Sequence, residues 1–336
     1  MLIDWEKVKS NGWPNKEVKV LSIDGGGIKG IYAARYLARI EEEIGEPIHK
    51  YFDLITGTST GGIIALGLSL GIPAKEIEDL YYENAQLIFK PKRRLIHKLK
   101  MGNLNTTSYD SNALRKLLEE KFGDRLLKDS KTFLCIPAVE HSKAKPKVFK
   151  TPHNKSLHID AKLKMVDVAL STAAAPTFFK AHSVNGHDCK IDGGLWANNP
   201  SVIGIAEAIV NDINIKDIKV LSIGTGANVY DADNNIAIKG GILNWGKRLI
   251  DLILNVQADG ALFTAKHLIG HNLKRVNFIP TRQLSLDSTA VSDLNYMKQE
   301  ADDSFADTFR GREDVFRSFF LSEKELDLSF YFNKVS

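Results

Sequence analysis

The 336-residue chain has few cysteines, no long apolar run and little excess of charge. Its two cysteines, Cys135 and Cys189, are too few for a disulfide framework. No stretch approaches the roughly 18 consecutive apolar residues that a membrane-spanning helix needs. The net charge of +4 is too small to indicate a nucleic-acid partner. The polar N-terminal segment lacks the apolar core of a signal peptide, so we expect a cytoplasmic protein.

The clearest local pattern is the stretch from Tyr51 to Leu66, which reads YFDLITGTSTGGIIAL. Large and β-branched side chains in its first half predict a buried strand, and small apolar residues in its second half predict a buried helix. Between them, Gly57, Ser59 and Gly61 match G-x-S-x-G, the nucleophile elbow that exposes a serine at a strand end. An ordinary glycine-rich turn is the alternative, because this motif by itself is weakly specific.

A second glycine-rich turn follows the predicted strand from Val18 to Ile23. Gly25, Gly26 and Gly27 stand in succession before a predicted helix. Consecutive backbone N–H groups at a helix start can stabilise a negatively charged oxygen, as an oxyanion hole does. Lys29 either adds positive charge to this loop or is simply solvated.

The spacing of Gly25, Gly27 and Gly30 also fits the dinucleotide-binding fingerprint. That fingerprint requires an acidic residue at the end of the second strand, about 20 residues further on. Asp53 is in range, but it precedes the predicted strand, which ends on Ser59 instead. The pattern therefore disfavours a dinucleotide cofactor.

A carboxylate occupies a third turn of the same kind. Asp192 follows a short apolar stretch, stands before Gly193 and Gly194, and precedes another predicted helix. One interpretation is an Asp-Gly turn of the sort common at strand ends. The functional interpretation is that Asp192 is the general base for Ser59.

Taken together, these motifs resemble those of the patatin-like phospholipase family. They are DGGGIKG at Asp24–Gly30, GTSTG at Gly57–Gly61, and DGG at Asp192–Gly194 followed by NNP. The segments STAAAPTFF and LSIGTG also match, and the resemblance covers roughly residues 18–279. Three motifs in the right order are far more specific than any one of them.

The resemblance implies a patatin-like three-layer α/β/α fold with a mostly parallel central sheet. It further implies a dyad of Ser59 and Asp192, and an oxyanion hole from the backbone of the three consecutive glycines. The reaction is then hydrolysis of acyl esters in lipids, with no cofactor and no metal. Many family members have Arg where Lys29 stands, which keeps the charge but not the bidentate fork. The supporting motif residues are Lys29, Gly30, Gly57, Gly61, Gly193 and Gly194.

The histidines distinguish a dyad from a triad. In an α/β-hydrolase triad the histidine follows the acidic residue along the chain. His267 and His271 do follow Asp192, but both fall in a predicted helix or at its end. A closely held aspartate can accept the serine proton by itself if the site is dry enough to raise its basicity.

We expect an N-terminal segment (residues 1–17), an acyl hydrolase domain (18–280) whose last strand is Arg275–Ile279, and a C-terminal helical extension packed on it (281–336). The basic stretch Lys90–Lys100 is either an exposed loop or a contact for anionic lipid headgroups or an anionic regulator. The sequence leaves oligomerisation open.

Within the family, the chain is similar to the short bacterial patatin-like proteins that act as effectors of CBASS anti-phage defence. In those systems a cyclic dinucleotide activates a phospholipase. This narrower resemblance implies a membrane phospholipid substrate, a cyclic dinucleotide activator and action at the inner face of the membrane. The alternatives are a general carboxylesterase or thioesterase, and a non-catalytic protein that binds a nucleotide through the glycine loop.

Overall fold

The computed structural model describes residues 13, 17–91, 107–153, 157, 159–184, 186, 188–227, 242–311, 316–320 and 322, with the backbone alone for 242–248. Most of the basic stretch Lys90–Lys100 lies outside these residues. Within them, no helix has both the length and the apolar character needed to cross a membrane. Both cysteines are free.

The strands of the described chain form one eight-stranded sheet. They are β1 Val18–Ile23, β2 Leu54–Gly57, β3 Phe133–Glu140, β4 Lys145–Lys150, β5 His182–Ser183, β6 Cys189–Asp192, β7 Ile218–Ile223 and β8 Leu273–Val276. Their order is β5-β6-β3-β2-β1-β7-β8, with β4 paired to β3. The central pairs β3–β2, β2–β1, β1–β7 and β7–β8 are parallel. The pairs that involve β4, β5 and β6 are antiparallel. The predicted mostly parallel central sheet is therefore confirmed.

Helices cover both faces of this sheet. They are α1 Gly30–Ile44, α2 Thr60–Ser69, α3 Ala74–Ile88, α4 Ser111–Phe122, α5 Met165–Thr172, α6 Gly194–Ala197, α7 Ser201–Val210, α8 Ile242–Ile269 and α9 Val291–Phe305, followed by a π-helical turn at Ala306–Arg310. In β1, Val18 and Val20 pack with residues of α7 and α8, whereas Leu21 and Ile23 pack with the helices on the opposite face. Burial on both faces explains why this strand is almost continuously apolar.

The carboxyl ends of the parallel strands meet at one edge of the sheet. Ile23 of β1 is in register with Gly57 of β2 and with Ile223 of β7. The glycine loop, the serine turn and the turn after β7 therefore lie side by side. In open α/β sheets this edge is where ligands bind.

The last strand differs from the prediction of Arg275–Ile279, because it ends at Val276. Its partner β7 ends at Ile223, where the Gly224 N–H donates to the Val276 carbonyl at 2.8 Å. The side chain of Asn277 accepts from the Gly226 N–H at 2.8 Å, so this residue caps a turn instead of extending the strand.

Residues near the C-terminal end pack on the main body. Arg35 of α1 pairs with Asp302 of α9 through hydrogen bonds of 2.8 and 3.0 Å. The ammonium of Lys19 in β1 donates to the carbonyls of Phe319 at 3.1 Å and Ser322 at 2.8 Å. These contacts attach the end of the described chain to its first strand and first helix.

Candidate active site

Ser59 lies on a sharp turn between β2 and α2. Its backbone has φ 54° and ψ −120°, a conformation that non-glycine residues rarely adopt. The Ser59 N–H donates to Thr172 Oγ1 at 2.9 Å, and the Ser59 carbonyl accepts from the Ile63 N–H at 3.1 Å. The turn is therefore held on both sides while the side chain faces a cleft.

Glycines make this turn sterically feasible. A Cβ atom on Gly57 would lie 2.1 Å from the carbonyl oxygen of Gly61. A Cβ atom on Gly61 would lie 2.3 Å from the carbonyl oxygen of Ile23. Both distances are far below van der Waals contact, so the tightness of the turn requires glycine at position 57, and its close packing against β1 requires glycine at position 61.

The structure brings Ser59 and Asp192 into direct contact. Ser59 Oγ donates to Asp192 Oδ2 at 2.6 Å, and the Gly194 N–H donates to Asp192 Oδ1 at 2.7 Å. Asp192 is only 5% exposed. Burial raises the pKa of its carboxyl to about 6, although the hydrogen bonds from Ser59 and Gly194 oppose the rise. The result is a carboxylate that is ionised at neutral pH and more basic than an ordinary aspartate.

The turn after β6 fixes the position of this carboxylate. The Asp192 N–H donates to the Ala174 carbonyl at 3.0 Å, and Asp192 is in register with Ala138 of β3. A Cβ atom on Gly193 would lie 2.4 Å from the carbonyl oxygen of Pro137, so the turn packs tightly on the neighbouring strand.

The three glycines of the loop after β1 have different surroundings. The Gly25 N–H donates to the Asn198 carbonyl at 3.0 Å, so this amide is already engaged. Among the described residues, nothing accepts a hydrogen bond from the N–H of Gly26 or Gly27, and both residues line the cleft with Ser59. The expectation that Gly25 contributes a donor to an oxyanion hole is not met by this geometry, because its N–H is used to hold the loop.

Long-range contacts that the sequence did not reveal hold the glycine loop in place. Thr225 Oγ1 donates to the Gly25 carbonyl at 2.8 Å. Asp24, just before the loop, is paired with Arg275 at 2.6 Å. Thr225 and Asn198 fall in the LSIGTG and NNP segments, which could have identified them. Arg275 lies in no motif.

Lys29 is buried close behind the loop and does not line the cleft. Burial lowers the pKa of its ammonium to about 8, against the attraction of Asp251 in α8. The alternative that Lys29 is simply solvated is therefore wrong.

The cleft beside Ser59 has mostly apolar walls. Its empty space, including solvent at the mouth, is about 600 Å³. The ring of Phe89 lies 5.4 Å from that of Tyr109 and 6.0 Å from that of Phe179, measured between centroids. The apolar lining includes Tyr81, Ile88, Phe89, Leu114, Phe178 and Phe179. Such a surface suits a hydrocarbon chain.

The remaining candidates lie elsewhere. His267 is exposed and donates from Nδ1 to the Phe263 carbonyl at 2.8 Å, and His271 is also exposed. Asp53 accepts from the Lys19 N–H at 2.8 Å, at the end of β1 opposite the glycine loop. Within the described chain, therefore, the Asp192 carboxylate contacts Ser59 and Gly194 but no histidine.

A buried group on the other face of the sheet has donor atoms of the kind that ligate metals. The ligand atoms of Cys135, His153 and Glu207 lie within 4.8 Å of one another. His153 Nε2 already contacts Glu207 Oε1 at 2.8 Å, and the other oxygen of Glu207 contacts the Lys150 ammonium. The histidine and the carboxylate thus satisfy each other, and a nearby cation opposes a metal ion. The group is a polar network that joins β3 and β4 to α7.

Comparison with known proteins agrees with this architecture. The model of the family described as patatin-like phospholipase matches residues 21–203, a range that contains the glycine loop, Ser59 and Asp192. The chain belongs to the patatin-like phospholipase family. It is thereby a hydrolase with the patatin fold, and the predicted fold class is confirmed.

Individual relatives extend the similarity along most of the chain. A cGAMP-activated phospholipase of Vibrio cholerae is 36% identical over 315 residues, which cover 83% of this chain and 88% of the relative. A cGAMP-activated phospholipase of Pseudomonas aeruginosa is 36% identical over 274 residues, with 81% of each chain covered. Patatin-like protein 2 of Oryza sativa subsp. japonica is 33% identical over 303 residues, with 74% of each chain covered.

Proposed function

We propose that this protein is a phospholipase A-type serine hydrolase in which Ser59 is the nucleophile and Asp192 the general base. The observation that carries the proposal is the 2.6 Å hydrogen bond from Ser59 Oγ to a buried carboxylate beside an apolar cleft. A nucleophile in hydrogen-bond contact with its base, on a strained turn, is the arrangement that covalent catalysis requires.

The reaction proceeds in two steps. Ser59 Oγ attacks the carbonyl carbon of the acyl ester while Asp192 Oδ2 accepts the hydroxyl proton. The N–H groups of Gly26 and Gly27 donate to the oxyanion of the tetrahedral intermediate. Asp192 then returns the proton to the departing lysophospholipid. Water, deprotonated by the same carboxylate, attacks the acyl-enzyme; the bond to Ser59 Oγ breaks, Asp192 returns the proton to that oxygen, and the fatty acid is released.

The pKa of about 6 suits Asp192 to both halves of this cycle. A general base is most effective when its pKa is near the working pH, because it is then both ionised and basic. The apolar cleft surrounds the carboxylate and holds the acyl chain, so the substrate itself completes the exclusion of water.

The relatives support a specific biological role. Two of them, each covering more than four-fifths of this chain, are named cGAMP-activated phospholipases. We propose that this protein likewise hydrolyses membrane phospholipids when a cyclic dinucleotide is bound, in antiviral defence. In this role it is cytoplasmic and acts from the inner face of the membrane.

We also propose that residues 281–336 form an extension of the acyl hydrolase domain of residues 18–280, not a separate unit, with residues 1–17 as a leading segment. The Arg35–Asp302 pair and the bonds from Lys19 to Phe319 and Ser322 support this division.

The test is the release of free fatty acid from mixed phospholipid vesicles, with and without cyclic GMP–AMP. We expect Ser59→Ala and Asp192→Asn each to reduce release to background in a folded protein. The chain provides a matched control, because Ser142 Oγ donates to Asp188 Oδ1 at 2.9 Å in an exposed pair. Ser142→Ala and Asp188→Asn should keep wild-type activity. Wild-type turnover in Asp192→Asn would contradict the dyad, and equal rates with and without the nucleotide would contradict its role as activator.

A general carboxylesterase or thioesterase is the second candidate. The observation in its favour is that Asp192 is the one charged residue among the described residues that line the cleft. Equal kcat/KM for a short neutral ester and for phospholipid vesicles would favour it over a phospholipase.

A further inference from the structure

A polar chamber lies behind the glycine loop. Its empty space, including solvent at the mouth, is about 530 Å³. Asn198, Leu254 and Leu286 line both this chamber and the apolar cleft, and so form a shared wall. The lining of the polar chamber also includes Asp24, Gly25, Lys29, Asn255, Asp259 and Arg275. The mechanism proposed above uses none of their side chains.

Two buried donors of the polar chamber are unpaired. Arg275 Nε and Asn255 Nδ2 are buried atoms with no hydrogen-bond partner among the residues that the structure describes. Most buried donors in proteins are paired, so two orphaned donors in one pocket require an explanation. A ligand that offers hydrogen-bond acceptors would supply it.

The charged residues of the polar-chamber lining are the cations Lys29 and Arg275 and the carboxylates Asp24 and Asp259. Both oxygens of Asp24 already accept from the terminal nitrogens of Arg275, at 3.0 and 2.6 Å. The Lys29 ammonium is buried nearby, where the attraction of Asp251 partly offsets the burial that lowers its pKa. Asp259 is the other carboxylate of the lining, and it lies at the exposed rim. The two buried side-chain atoms of the chamber lining that lack a hydrogen-bond partner among the described residues, Arg275 Nε and Asn255 Nδ2, are both donors.

We infer that the polar chamber binds a phosphodiester group. Such a group carries one negative charge and has two free oxygens that can accept from Arg275 Nε and Asn255 Nδ2. This inference rests on the proposed function, which supplies two sources of the same chemistry: the headgroup of a phospholipid substrate and the backbone of a cyclic dinucleotide. A bound anion would contact the residue just before the oxyanion donors, because Gly25 lines the chamber and Gly26 lines the cleft.

The test compares Asn255→Leu with Asn295→Leu. Asn255→Leu removes one chamber donor without changing the charge. Asn295 is an exposed residue of α9, outside the chamber lining, and its side chain accepts from Tyr82 Oη at 2.9 Å. The first readout is the thermal stability of the folded proteins in increasing dimethyl phosphate. We expect dimethyl phosphate to stabilise the wild type and Asn295→Leu. In Asn255→Leu, the concentration of dimethyl phosphate that gives the same stabilisation should be about tenfold higher or more, because this is the factor for one lost hydrogen bond to a charged group.

Further measurements on the same proteins distinguish the two sources. If the nucleotide occupies the chamber, Asn255→Leu weakens binding of cyclic GMP–AMP in equilibrium dialysis, and hydrolysis of p-nitrophenyl butyrate requires more nucleotide but reaches the wild-type rate when the nucleotide is saturating. If the headgroup occupies it, kcat/KM falls for phospholipid vesicles but not for p-nitrophenyl butyrate, and dialysis is unchanged.

The inference is overturned if dimethyl phosphate does not stabilise the wild type, or stabilises Asn255→Leu equally. It is also overturned if all substrates, including the neutral ester, lose activity together with a lower melting temperature, because Asn255 is then only structural. Failure of the proposed function is a separate result: the wild type would release no fatty acid, while the dimethyl phosphate titration would remain readable.

Discussion

Arg275 holds Asp24 through both terminal nitrogens of its guanidinium, at 3.0 and 2.6 Å, and one of these nitrogens also donates to Ser222 Oγ at 2.8 Å. The pair joins the last described strand of the sheet to the residue that precedes the glycine loop. Burial raises the pKa of Asp24, and Arg275 opposes that rise. These contacts connect β1, β7 and β8 and hold the start of the glycine loop in position. An oxyanion hole needs such rigidity, because its donors must be in place before charge develops.

Substitution of Arg275 should therefore separate stability from catalysis. Arg275→Leu leaves a buried carboxylate without its partner, so we expect the free energy of unfolding to fall by about 3–5 kcal/mol in urea titrations. Arg275→Lys retains the charge but not the two-pronged contact. We expect it to fold and to lose about tenfold or more in kcat, the order of one misplaced oxyanion donor. A wild-type kcat in Arg275→Lys would show that the loop does not depend on this fork.

The pKa of Asp192 predicts how activity depends on pH. In the proposed mechanism the carboxyl must be ionised to accept the proton of Ser59, and its pKa is about 6. Hydrolysis of a soluble ester, which avoids changes in vesicle charge, should fall about tenfold per pH unit below about pH 6. A profile flat down to about pH 4.5 would mean that the base has an ordinary carboxyl pKa, near 3.8.

The same pKa predicts a stability effect with a definite sign. Because the carboxyl pKa is raised on folding, from 3.8 to about 6, the folded protein holds this proton more tightly than the unfolded chain. Stability therefore decreases as the pH rises from about 4 to about 6, by about 3 kcal/mol in total. Asp192→Asn avoids this cost, so it should be more stable than the wild type at about pH 8 and similar at about pH 4. Equal stability at both pH values, measured by thermal unfolding, would contradict the raised pKa.

The backbone of Ser59 predicts a difference between two inactive variants. Its φ of 54° is strained for any residue with a Cβ atom and unstrained for glycine. Ser59→Gly and Ser59→Ala both remove the proposed nucleophile, but only the glycine relieves the strain. We expect Ser59→Gly to be the more stable by about 1 kcal/mol or more in urea unfolding. The reverse order would mean that the turn is not strained at this residue.

The aromatic wall of the cleft should determine acyl-chain preference. Phe89 lies against Tyr109 and Phe179 in the cleft lining, so Phe89→Leu enlarges the space for the chain. In a series of esters that differ in chain length, the ratio of kcat/KM for long over short chains should rise about fivefold. Leu87, two residues away, is 47% exposed and does not line the cleft, so Leu87→Ala provides the control. The same shift in both variants would place chain selection elsewhere.

Sequence patterns predicted the features that depend on local chemistry. A strand, a glycine-flanked serine and a buried helix are encoded within a few residues, and so are the turns after β1 and β6. The sequence did not predict which glycine N–H groups are free to bind an oxyanion. The Gly25 N–H is engaged because it donates to the carbonyl of Asn198, which is distant in sequence. Arg275 was also missed, since a lone arginine in a short strand carries no pattern. The end of β8 depends on where its neighbour β7 stops, which is a property of the sheet.

The bonds from Lys19 to Phe319 and Ser322 impose an order on biosynthesis. Phe319 is synthesised 300 residues after Lys19. The contacts of β1 with the C-terminal segment therefore form only when nearly all of the described chain has been made. Segments made late, including α9, also cover α1 directly behind the glycine loop. A nascent or prematurely terminated chain thus lacks part of the support of its own catalytic loop. For the phospholipid hydrolase proposed above, we therefore expect activity to appear only after Phe319 and Ser322 have been made.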